Sequence, residues 1–182
     1  MSGFCNWFLM GFSDTRSAIA QVIGFVPLIL AMFTYVQTNR EKIIFVKVCS
    51  DLLWVAHFFA LGEWTGGMIN VVNAVRGVVF SQRHKTWAQS SVIPVLFCTF
   101  TVVCALPGFE GVKSLLAMIG SCLGVIGFWQ LDVRRLRLFT LVGVTLWVAY
   151  GIWTVSIPAI ISNSMSICSI VLAFCKEKSR RE

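Results

Sequence analysis

Charge is scarce in this sequence. Only 13% of its 182 residues are Asp, Glu, Lys or Arg, 57% are hydrophobic, and the mean hydropathy is +0.81. A soluble domain carries about 25% charged residues. The balance excludes an ordinary water-soluble globule and a disordered chain. Acid is scarcer than base, 8 residues against 15, for a net charge of +7. In a polar chain that excess points to a polyanion. In a chain this apolar it points to basic loops on one side of a membrane, and no nucleic-acid partner is expected. The seven cysteines are odd in number, none shows C-x-x-C spacing, and six lie in or at the end of apolar runs. They read as small packing residues, not as a disulfide framework or a zinc site. A Gly-rich phosphate loop, a metal-ligand cluster, a nucleophile elbow and paired carboxylates are all absent from the sequence, so no enzyme, metal or cofactor is expected.

What is there is apolar sequence in long runs. A bilayer core of about 30 Å needs roughly 20 apolar residues per spanning helix. Seven stretches reach or approach that length: 18–37, 43–61, 65–82, 87–106, 114–131, 138–154 and 157–175. Backbone groups in lipid must be satisfied internally, and runs this uniform are not the alternating strands of a barrel. The reading is an all-α polytopic membrane protein with seven transmembrane helices. Residues 1–17 lack a basic n-region, and Asp14 and Arg16 interrupt their only apolar run. They read as a short extracytoplasmic segment rather than a secretory signal.

The charges test that count. With seven spans one side collects Arg40, Lys42, Arg83, Lys85, Arg134, Arg135, Arg137, Lys176, Lys178, Arg180 and Arg181, and the other collects only Arg16 and Lys113. Merging the fourth and fifth spans across Pro107-Gly108 would reduce this 11-to-2 asymmetry to 8 against 4. The positive-inside rule therefore favours seven spans, the N-terminus outside and a basic tail, 176–182, in the cytoplasm facing anionic lipid head groups.

The chain also repeats itself. Leu53-Trp54-Val55-Ala56 recurs as Leu146-Trp147-Val148-Ala149, an offset of 93. The same offset puts Asn70 on Asn163, and 53–83 holds six identities in 31 positions. Two three-helix repeats, 18–82 and 114–175, follow, with 87–106 as a linker helix. Units of three spans joined directly would lie inverted, and the one extra helix makes them parallel. Substrate in such a plan binds near mid-membrane, where the repeats face each other.

This 3+1+3 layout resembles the SWEET and SemiSWEET sugar transporters of the PQ-loop superfamily. In that family a Trp on the second helix and an Asn on the third, sixteen residues apart, line the sugar pocket. Here Trp54 and Asn70 are sixteen apart, as are Trp147 and Asn163. The resemblance implies that these four bind substrate. The Pro-Gln dipeptide of the wider group is absent, and only Pro27 lies within the first span, so the proline hinges of SWEET gating are mostly missing. Over most of its length the chain resembles the YgjV family of bacterial inner-membrane proteins, through Ala56-His57-Phe58-Phe59-Ala60-Leu61-Gly62 and Asn73-Ala74-Val75-Arg76. This resemblance implies a bacterial inner-membrane location and carries no activity with it.

Physical chemistry gives the same residues a role. Asn offers donors and acceptors to hydroxyl groups, and a Trp face packs on the C–H face of a sugar ring. Asn73 shares a helical face with Gly66, Asn70 and Gly77. Asp51 shares one with Lys47, Trp54 and Phe58. Two readings of Asp51 stand: half of an ion pair with Lys47, or a proton-coupling group below the pocket. His57 is read either as a titrating group or as a hydrogen-bonded packing residue, and Arg76 as a cation snorkelling to the cytoplasmic interface. Few charges are expected in the pocket, which favours a small neutral polar solute such as a sugar, moved by facilitative alternating access. A proton-coupled carrier of amino acids or other polar metabolites, and a non-transporting scaffold or sensor, are the alternatives. One chain holds both repeats, so a monomer suffices for a pore, and a homo-oligomer is compatible with it. A pocket of this kind requires Trp54, Asn70, Trp147 and Asn163 to converge on one cavity.

Overall fold

A computed structural model describes residues 2–34, 40–82 and 85–179. The end of the first expected span at Gln37, and Arg83, Arg180 and Arg181 of the cytoplasmic charge set, lie outside the described residues. The described residues are all-helical. Eight α-helices follow in order: α1 Ser2–Met10, α2 Thr15–Thr34, α3 Arg40–Ala60, α4 Trp64–Ser81, α5 Val92–Ala105, α6 Val112–Trp129, α7 Val133–Trp153 and α8 Ile157–Ser179. Among them α6, α7 and α8 (to Glu177) are long and apolar enough to cross a membrane, and 15–30 and 92–108 are shorter apolar helical stretches. Only 17% of the spanning window of α7 and 11% of that of α8 is buried within the protein. The rest presents Leu138, Val142, Ile161, Val171, Leu172 and similar side chains outward, an apolar exterior that water would not tolerate.

One element adds to the sequence expectation and one differs from it. Residues 2–10 are helical, and Trp7 Nε1 donates to the Ile152 carbonyl at 3.1 Å, which ties the N-terminal segment to the end of α7. The stretch expected as one helix over 87–106 instead opens with a 3₁₀ turn, Thr86–Gln89, and α5 begins only at Val92. Ser90 is extended at ψ 128°, and Pro94 is tolerated because it falls within the first turn. At 14 residues, α5 is about 21 Å long.

Packing divides the helices into two groups. In the first, α3 lies between α2 and α4; in the second, α7 lies between α6 and α8; α5 packs on both α4 and α6. The groups meet along two seams, α4 on α6 and α2 on α8. Close approach within the second group is made by a glycine pair: a Cβ on Gly143 would fall 2.8 Å from the Gly120 carbonyl oxygen. Small residues at such a contact let helix backbones touch.

Helices α3 and α7 end alike. At the end of α3, Gly62 takes φ +83°, its N–H reaches the Phe59 carbonyl and the Glu63 N–H reaches the Phe58 carbonyl. At the end of α7, Val155 takes φ +52°, with the Val155 and Ser156 N–H groups on Ile152 and Gly151. Both are Schellman motifs, and Gly62 and Val155 are 93 positions apart. A β-branched residue at positive φ is uncommon and strained.

Candidate functional site

A cavity of about 190 Å³ opens between the two groups. Helix α3 contributes Asp51, Trp54 and Phe58, and α4 contributes Asn70, Asn73 and Arg76. The facing wall is Gly120, Ser121, Gly124 and Phe128 of α6, Thr140, Gly143, Val144 and Trp147 of α7, and Ala159, Ser162 and Asn163 of α8. Trp54, Asn70, Trp147 and Asn163 therefore surround one space, two from each group.

The two asparagines are held alike. Asn70 Nδ2 donates to the Gly66 carbonyl at 2.8 Å, and Asn163 Nδ2 donates to the Ala159 carbonyl at 2.8 Å. Each is a bond to the turn before, which uses one amide proton and fixes the side-chain plane. The acceptor oxygen and the second proton remain for another partner. Asn73 lies one turn further along, and its Oδ1 accepts from Ser121 Oγ at 3.2 Å across the α4–α6 seam.

Aromatic rings close one end. Phe58 is 2% exposed and sits between the tryptophans, 6.0 Å from Trp54 and 5.9 Å from Trp147 between ring centres. Tyr150, fully buried, packs edge-on against Trp147 at 5.4 Å. Ile69, Ala105, Ala117 and Met118 complete the apolar cluster behind them. From Phe58 to Asp51 the lining descends seven residues of α3, about 10 Å, toward the end where α4 and α6 finish.

Beyond the closed end the groups are clasped by hydrogen bonds that also repeat at 93. Tyr150 Oη of α7 accepts from the Gly66 N–H at 3.1 Å and donates to Glu63 Oε2 at 3.2 Å. His57 of α3 places Nδ1 2.7 Å from the Ala20 carbonyl and Nε2 2.6 Å from Ser156 Oγ. A carbonyl only accepts, so Nδ1 is the donor. Offset by 93, His57 falls on Tyr150 and Glu63 on Ser156. Each clasp thus joins a middle helix to the residue preceding the third helix of the other group. Lys113 strengthens the first, 2.9 Å from Glu63 Oε2 and 2.6 Å from Glu110 Oε2. Gln21 strengthens the second, donating to the Val155 carbonyl at 2.6 Å and accepting from the Ile157 N–H at 3.2 Å.

Of two sequence readings, one is decided and one changes. His57 is the hydrogen-bonded packing residue: it stands behind Trp54, 5.3 Å away edge to face, outside the cavity lining and with both ring nitrogens occupied. Arg76 does not snorkel outward: it is 7% exposed and belongs to the cavity wall. Its position three residues after Asn73 puts it on the same side of α4, a signal the sequence carried. The cavity also holds more charge than expected, since Asp51 lines it beside Arg76. Asp51 keeps its ion pair with Lys47, at 2.9 and 3.1 Å.

Comparison with known proteins locates this arrangement. A curated relative, the inner membrane protein YgjV of Escherichia coli (strain K12), is 25% identical over 142 residues, covering 76% of this chain and 73% of the relative. No solved structure gives a significant match. Residues 18–181, which contain every residue of the cavity, match the Imp-YgjV family, described as bacterial inner membrane protein. The chain belongs to that family of bacterial inner membrane proteins.

Proposed function

We propose that this protein is a transporter that moves a small polar solute across the inner membrane through the cavity between its two helix groups. In this reading α2–α8 are seven spans, α2–α4 and α6–α8 are parallel SWEET-like repeats, and α5 is the linker. The N-terminus is outside, and the basic cytoplasmic residues contact anionic lipid head groups. A single chain forms the pore.

The observation that carries the proposal is the ring of Trp54, Asn70, Trp147 and Asn163 around one cavity, with both asparagines in the same hydrogen-bonded pose. Matched chain reversals at Gly62 and Val155, and matched clasps at Tyr150 and His57, support the repeat. The two tryptophan faces and two asparagine amides suit a sugar-like solute. Rocking the groups would break the clasps at one end of the cavity and close the other, which is alternating access. Proton coupling is a second reading, favoured by Asp51 in the cavity wall.

Flux of labelled sugars, hydroxylated carboxylic acids and amino acids into proteoliposomes, with and without a pH gradient, tests the proposal. Facilitative transport predicts saturable flux indifferent to the gradient and to Asp51→Asn. Flux that needs both the gradient and Asp51 selects the coupled carrier. Absence of flux for every solute rejects transport.

A further inference from the structure

Arg76 presents a buried cation that the protein itself leaves incomplete. It is 7% exposed, lines the cavity, and its Nη1 is buried with no hydrogen-bond partner. Its guanidinium carbon stands 5.4 Å from the centre of the Phe128 ring, which covers one face and donates no counter-charge. Gly124 of α6 lies against Nη1 and offers it no side-chain partner: a Cβ there would lie 3.5 Å from that nitrogen, at ordinary contact distance. The carboxylate that lines the same cavity, Asp51, is held by Lys47 on both oxygens, and no ion pair joins it to Arg76 among the described residues. A charge kept from water needs a partner, and here the wall that faces it is the cavity.

We infer that Arg76 is the anchor for a carboxylate on the transported solute, so that the cavity takes a small polar monoanion with a hydroxylated body. This deepens, and rests on, the reading of the cavity as the solute site. Guanidinium offers a planar fork matched to a carboxylate. Lys47, Asp51 and Arg76 sum to one positive charge, which one carboxylate neutralises and a doubly charged phosphate exceeds. Asn70 lies about two turns further in along α4, Asn163 lines the same cavity from α8, and both offer amides to hydroxyls on the same molecule, with Trp54 and Trp147 flanking its ring or carbon skeleton.

The test is equilibrium binding to purified protein in lipid nanodiscs, read by calorimetry. The probes are two pairs differing in one carboxylate, glucuronate against glucose and lactate against propane-1,2-diol, with glucose 6-phosphate as the phosphate arm. At least one acid should bind about tenfold to a hundredfold more tightly than its neutral partner, the range of a charge-assisted hydrogen bond, and more tightly than the phosphate. Arg76→Gln should erase the gap and Arg76→Lys should keep part of it. Equal binding within both pairs, binding of no acid, or a gap that survives Arg76→Gln overturns the inference. The wild-type comparison decides even if a variant fails to fold. Neutral-solute flux without acid preference removes the Arg76 assignment and leaves transport standing; acid preference in binding without flux does the reverse.

Discussion

Removal of one oxygen atom probes how the two helix groups are held together. Tyr150→Phe keeps the ring that packs on Phe58 and Trp147 and deletes only the hydroxyl. Two bonds go with it, the one accepted from the Gly66 N–H and the one given to Glu63. An average interhelical hydrogen bond in a membrane contributes about 0.6 kcal/mol, which would put the loss near 1.2 kcal/mol. The Gly66 N–H is a special case. It belongs to the first turn of α4, where no helical carbonyl is available, and the N-cap residue Glu63 makes no side-chain capping bond. Gly66 is itself buried, so its N–H is left without a partner at a cost of about 1–3 kcal/mol. Glu63 retains Lys113 at 2.9 Å, so its share of the loss is small. Together these give roughly 2–3 kcal/mol, measurable as thermal unfolding in detergent followed by tryptophan fluorescence. A double-mutant cycle with Glu63→Leu, which removes the acceptor, should show coupling of about 0.6 kcal/mol. A variant within about 0.5 kcal/mol of wild type, or zero coupling, would refute the assignment of this bond as a clasp.

Two further perturbations address the repeat and the packing. At Gly62 an added Cβ meets nothing nearer than Arg16 Nη2 at 3.9 Å, so Gly62→Ala should lose only the backbone penalty for positive φ, about 1–2 kcal/mol. The reverse change, Val155→Gly, should stabilise by up to about 1 kcal/mol; opposite signs in parallel melts check the shared geometry. At Gly24 a Cβ would fall 2.6 Å from His57 Nδ1 and 2.7 Å from Pro158 Cγ. Gly24→Ala should therefore disturb the α2–α8 seam and destabilise by about 1–3 kcal/mol, whereas Gly3→Ala, with nothing within 4 Å, should leave the melting temperature unchanged.

Much of the helix layout was legible because apolar length is written directly in the sequence. Expected and observed helix starts agree within three residues for α2, α3, α4, α6 and α8. The grouping of Trp54, Asn70, Trp147 and Asn163 was legible because identical residues recur at one offset, and equal helices in equal packing carry equal positions to equal places. Arg76 was misread because its distance from the end of α4 fits a snorkelling cation, while its helical face, shared with Asn73, is what governs its burial. The clasps were illegible for another reason. His57 and Tyr150 are equivalent in place and chemically different, as are Glu63 and Ser156, so a comparison by identity passes over both pairs. The late start of α5 depends on the backbone at Ser90, a turn that the apolar count over 87–106 does not register.

If the cavity is the solute site, the paired asparagines hold the solute there and their removal should stop transport. Saturable solute flux should be measured in proteoliposomes carrying wild type or the Asn70→Ala, Asn163→Ala double variant, each confirmed as folded by its melting curve. Wild type should give flux, and the double variant should lose it by about tenfold or more. Undiminished flux through a folded double variant would contradict the assignment of the cavity as the solute site.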